Sequence, residues 1–212
     1  MRALHWIKQA LLTFAILLVV CPVYTLMMSM QADALVWEDI PLLTGSFMVM
    51  FGMFFSMAFS TLLYTQDLPI TISFGSTRKE AFWGIQLSRA TYTLLSVLCV
   101  GLLFLLAADT PFADLTEAIP FILAGYLIFH GLSGIMAILY VKFQKKGLIA
   151  FGSMLTVILA GGLVGFLIGF NDGGFPLFPQ HFEWMLLGGG ALLYTLVSLW
   201  EYRIIHNYNV KL

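Results

Sequence analysis

Six long apolar runs, at about 11–30, 41–63, 90–108, 119–141, 148–170 and 184–201, constrain this chain more than any other feature. Each approaches or exceeds the ~20 residues that a helix needs to cross ~30 Å of hydrocarbon. Asp, Glu, Lys and Arg are missing from the interior of every run. The runs are continuous rather than alternating, which argues against a membrane-spanning sheet. Composition agrees: 60% of residues are hydrophobic and 10% charged, against roughly 25% charged in a soluble domain. Mean hydropathy is +0.95. The expected fold is all-α: one polytopic bundle of six transmembrane helices filling residues 1–212 as a single domain.

Placement of charge is more informative than the net value of −1. Arg2 and Lys8 precede the first run; Arg78, Lys79 and Arg89 fall in the second connection; Lys142, Lys145 and Lys146 flank the fourth run; Arg203 and Lys211 end the chain. All ten basic residues therefore fall on one side of a six-span topology. The opposite connections hold none, yet carry eight of the eleven acids (Asp33, Glu38, Asp39, Asp109, Asp114, Glu117, Asp172 and Glu183). By the positive-inside rule both termini and the 64–89 connection are cytoplasmic.

The N-terminal ten residues alternate Leu4, Trp6 and Ile7 with Arg2, His5 and Lys8, the pattern of an interfacial helix with an aromatic anchor. The following run reaches Met30 with no small-x-small cleavage site, so it reads as a retained span. Cys21 and Cys99 lie mid-run and read as small buried hydrophobes.

The second connection is the longest polar interruption. Asp67 is placed to cap a short helix over Leu68 to Phe74, with Pro69 in its first turn and Gly75 as a left-handed stop. Thr77-Arg78-Lys79-Glu80 reads as a capping box that starts a second helix presenting Phe82, Trp83, Ile85 and Leu87. The expected product is an amphipathic elbow on the membrane face that feeds the third span. Ile70, Thr71 and Ile72 are poor helix formers, so the first of the two helices is expected to need a docking surface, such as a partner protein.

Within the runs, Gly161, Gly165 and Gly169 repeat at four-residue spacing and suit close helix packing, within the subunit or against a second copy. Met53 and Met57 belong to a methionine-rich stretch of the first two runs. They read as gap-filling or lipid-facing side chains, or as an adaptable lining for an amphipathic substrate. His130-Gly131-Leu132-Ser133-Gly134 in the fourth run resembles the serine site of rhomboid proteases, with His181 ahead of the sixth run as a base. Depth argues against catalysis: Ser133 lies about 20 Å inside the membrane at 1.5 Å per residue, while His181 sits at the outer surface. Ser133 and the neighbouring glycines then read as packing residues, and His130 as hydrogen-bonded in the bundle or in contact with substrate. No catalytic residue, metal cluster, phosphate loop or nucleic-acid-binding feature is expected.

Leu68-Pro69-Ile70-Thr71-Ile72-Ser73-Phe74-Gly75-Ser76-Thr77-Arg78-Lys79-Glu80-Ala81-Phe82 resembles the "Leu-Pro … Leu-Ser-x-Gly-x-Ser/Thr-Arg-Lys/Arg-x-x-Phe" segment of small bacterial ABC-2-type transporter permeases. The basic tail from Tyr202-Arg203 to Val210-Lys211 resembles their C-termini. Ile70, Ile72 and Ala81 depart mildly from the pattern. The resemblance implies a six-span permease subunit of an ATP-binding-cassette exporter in a bacterial plasma membrane. It implies a separate ATPase subunit carrying ATP and magnesium, a second permease copy, and no cofactor on this chain. Asp67, Leu68, Pro69, Ile70, Ile72, Phe74, Gly75, Arg78, Lys79, Glu80 and Phe82 then form the coupling segment that meets the ATPase. The uncharged runs suggest a hydrophobic or amphipathic substrate, a peptide, lipid or drug. A membrane immunity or scaffold protein without an ATPase is the non-transport alternative.

Overall fold

In hydrocarbon a backbone amide finds no water, so each apolar run must pair its amides internally, as a helix does. The computed structural model describes residues 2–31, 40–107, 112–143 and 182–207, with a few isolated positions between 146 and 153. All regular structure among them is helical: α1 (Arg2–Gln31), α2 (Ile40–Leu62), a π-helical turn (Leu63–Asp67), α3 (Leu68–Ser73), α4 (Arg78–Leu106), α5 (Phe112–Phe143) and α6 (Phe182–His206). Four stretches are long and apolar enough to cross a membrane: Leu4–Met30, Ile40–Ser73, Arg78–Leu106 and Ala118–Phe143. The chain is thus a multi-pass membrane protein, helical throughout its described elements. The apolar run at 148–170, with Gly161, Gly165 and Gly169, lies outside the described residues, as does His181.

Side-chain contacts fix the helix directions. Thr44 donates to Thr25 across 3.2 Å, and further along the pair Leu17 lies against Gly52, so α1 and α2 are antiparallel. Tyr92 donates to the Gly52 carbonyl at 3.1 Å, and the Cys99 thiol faces Met48 Sδ at 3.8 Å, which runs α4 back along α2. Both cysteines are free. The α5–α6 pair is different. Gly190 lies against Ala124, Gly131 against Leu193, and Gly134 against Val197 and Glu201. Residue numbers rise together, so these two helices are parallel.

Glycine permits a close approach between α1 and α4. The Trp6 indole fills the space a Cβ on Gly84 would need, and Ser88 Oγ donates to the Trp6 carbonyl at 2.8 Å. Trp6 is therefore a core residue, and residues 2–10 continue α1 without a break. In place of a separate interfacial helix, residues 2–10 begin one long helix, and Trp6, expected as an aromatic anchor, is buried against Gly84. Gly84→Ala is expected to cost about 1–3 kcal/mol by forcing this buried ring aside. Gly101→Ala, which meets nothing within 4 Å, should be neutral or stabilising by up to about 1 kcal/mol. Thermal unfolding of the two detergent-solubilised variants checks the contrast.

Candidate functional site: a closed hairpin over a buried charge pair

The polar connection folds as the tip of a helical hairpin. Rather than restarting at Asp67, the second long helix passes through the π turn and continues as α3 to Ser73. Asp67 has helical backbone angles and makes no capping bond, because the upstream carbonyls already serve the α3 amides. Its carboxylate instead faces His5 Nε2 on α1 at 3.8 Å. The expected cap is thus a contact between helices, and the separate docked helix is an extension of a span.

The stop and restart match their sequence signals. Gly75 has φ of 82°, the left-handed position favoured at a helix end. Ser76 N–H donates to Thr71 O at 3.1 Å and Gly75 N–H to Ile72 O at 3.0 Å, the two bonds of a Schellman motif. Two residues later Thr77 Oγ1 accepts from the Glu80 amide at 3.2 Å, and a Glu80 carboxylate oxygen accepts from the Thr77 amide at 2.9 Å. This capping box begins α4, which runs unbroken to Leu106. Both hairpin arms are therefore spanning helices.

Burial divides the residues assigned to coupling. Phe74 is 82% exposed and Ile70 52%; Lys79 and Glu80 are exposed, while Pro69, Ile72 and Arg78 are half-buried. Leu68 and Phe82 are buried. They belong to the chain's own core, and Phe82 packs edge-on against Tyr202 of α6, ring centroids 5.2 Å apart. Arg78 reaches inward as well, its Nη1 donating to the His206 carbonyl at 2.9 Å. That bond satisfies one of the carbonyls left open at the end of α6. The hairpin base is gripped by α1 on one side and α6 on the other.

Below the hairpin, four long helices bring their polar residues together. Arg89, grouped with the connection by its sequence, lies inside α4 and is 1% exposed; Glu201 of α6 is equally buried. Arg89 Nη1 donates to Glu201 Oε2 at 2.9 Å and Nη2 to Oε1 at 3.0 Å, a two-pronged pair of the strong kind. Further polar side chains surround the pair. Arg89 Nε donates to Ser60 Oγ at 3.2 Å, and Nη2 also donates to Ser133 Oγ at 3.3 Å. Gln86 Nε2 donates to Glu201 Oε2 at 3.0 Å, and Gln86 Oε1 accepts from the Tyr194 hydroxyl. The guanidinium also lies 5.2 Å from the Tyr64 ring centroid, within cation–π range.

His130 extends this network one turn further along the bundle. With Ser60 Oγ accepting from Arg89, the Ser60 hydroxyl is placed to donate to His130 Nδ1 at 3.1 Å. Nε2 then carries the proton toward Thr93 Oγ1 at 2.9 Å. Ser133 spends its own proton on the His130 carbonyl at 2.7 Å. A hydroxyl that donates to a carbonyl and accepts from a guanidinium is poorly placed as a nucleophile, which needs a base to take its proton.

The four residues assigned to a substrate path thus separate. His130 and Ser133 are saturated members of a buried network. Met53 packs against Gly125 of α5, and Met57 is half-buried on α2. Among the described residues no three metal-ligating side chains cluster.

Sequence reasoning overlooked the Arg89–Glu201 pair, although a signal was present. Ser60 and Tyr64, Arg89, Thr93 and Ser96, and His130 and Ser133 are polar stripes at helical spacing on three separate runs. Compared with protein-family models, with curated proteins and with solved structures, the chain matches none.

Proposed function

We propose that this chain is the permease subunit of an ABC-2-like exporter in a bacterial plasma membrane. In this reading a separate ATPase subunit supplies ATP hydrolysis and magnesium, and two permease copies enclose the path of a hydrophobic or amphipathic substrate. One observation carries the reading: the hairpin ends in an exposed apolar tip, Ile70 and Phe74, while both its arms are spanning helices. A push on such a tip moves two spans at once, with no flexible linker to absorb it. The Arg89–Glu201 network then hands the motion from α4 to α5 and α6, because it joins those helices by directional bonds in a poorly solvated interior.

The proposed topology has six spans with both termini cytoplasmic. Its support is the parallel run of α5 and α6, since the chain between them must return from the end of one to the start of the other. Lys8 of α1, Arg78 and Lys79 of the hairpin and Arg203 of α6 belong to helix ends that meet at one end of the bundle, in keeping with the positive-inside rule for a cytoplasmic face.

Purification in mild detergent tests the proposal directly. A stoichiometric ATPase is expected to accompany the wild-type chain, and to be lost from an Ile70→Asp/Phe74→Asp double variant that keeps its unfolding temperature. A chain that purifies alone in both forms points instead to a scaffold or immunity protein.

A further inference from the structure

A cleft of about 440 Å³ lies between the hairpin and the end of α6. Ile72 and Tyr202 give it apolar walls, Thr77 a hydroxyl, and Arg78, Lys79 and His206 a basic rim. Glu80, one residue beyond Lys79, accepts from the Thr77 amide. Exposed Ile70 and Phe74 stand on the same hairpin as Ile72.

The length of the second helix locates this surface. Ile40–Ser73 spans 34 residues, about 51 Å at 1.5 Å per residue, against a hydrocarbon core of ~30 Å. The apolar run that matches the hydrocarbon is 41–63, and the polar Tyr64-Thr65-Gln66-Asp67 follows it toward the hairpin. The surplus therefore projects from the hairpin end, beyond the reach of most lipid headgroups. A protein occupant fits this position better than a phospholipid.

We infer that the partner is gripped at two points, the hairpin tip and the C-terminal end of α6, and that it inserts a carboxylate flanked by apolar side chains into the basic cleft. This rests on the hairpin being a docking element, and it adds α6 and the charge of the occupant. It also gives the partner a second handle on the interior, because His206 lies little more than one turn from Glu201, the residue paired with Arg89.

The test places a photo-crosslinking phenylalanine analogue at Phe74 or at His206 in the full chain, in native membranes with its partner present. Mass spectrometry then identifies what is captured. Both positions are expected to capture the same partner chain, and the peptide caught from position 206 to contain Asp or Glu beside apolar residues. Lys79→Glu should lower that yield about tenfold, since it sets like charges against each other. The variant should still fold, because an acid is favoured in the first turn of a helix. Capture from position 74 with none at 206, or capture of phospholipid at 206, overturns the two-point grip and leaves hairpin docking intact. Capture of partner at neither position removes the docking reading itself.

Discussion

Replacing Glu201 by glutamine should lower the unfolding temperature of the detergent-solubilised protein by on the order of 10 °C. The change is nearly isosteric, so packing hardly enters. What it removes is the single negative charge facing Arg89 in a site where both partners are 1% exposed. Breaking one side of a buried pair costs about 3–5 kcal/mol, because the remaining charge stays desolvated without compensation. The complementary experiment removes both charges. Arg89→Met/Glu201→Leu should recover most of the loss, since an apolar pair of similar volume has no desolvation penalty. Recovery should be incomplete, because Gln86, Ser60 and Ser133 each lose a partner. An E201Q protein as stable as wild type would mean that the pair is hydrated, and the buried network would lose its place in the account.

The pair also shows where sequence reading stops. The first four apolar runs, the Gly75 stop and the Thr77–Glu80 cap depend on neighbours within a turn or two, and each was legible from local spacing. Arg89 was not. Its compensating acid lies 112 residues away, and a window scanned for uninterrupted apolarity ends at such a residue and hands it to the adjoining loop. The Asp67 cap failed for a related reason. Asp before Leu-Pro is a sound start signal, but it has force only where amides are orphaned, and here the preceding helix delivers its carbonyls through a π turn. Trp6 was misplaced because its berth depends on Gly84, on another helix, having no side chain. In each case the local preference was real and a distant partner outweighed it.

Gly75→Val is the second large effect expected, and it falls on coupling rather than on stability. A Cβ at position 75 would meet nothing within 4 Å, so there is no clash to relieve. The cost lies wholly in the backbone: at φ of 82° an L-residue pays roughly 1–2 kcal/mol, and a β-branched one the upper part of that range. The penalty falls on the Schellman bonds that close the hairpin, and it shifts the ratio of closed to open tip about tenfold toward open. The core beneath is untouched, so the unfolding temperature should move by no more than a few degrees. If the proposed exporter reading holds, substrate-stimulated ATP hydrolysis by the complex with its ATPase should instead fall about tenfold, with export falling alongside it. Gly75→Asn separates conformation from bulk, since asparagine has a larger side chain than alanine yet tolerates the left-handed region; it should stay within about twofold of wild type on the same reasoning. If valine leaves coupling intact, a closed tip is not what transmits force; if asparagine is as damaging as valine, the space around residue 75 is occupied in the working complex and the tip is buried there against its partner.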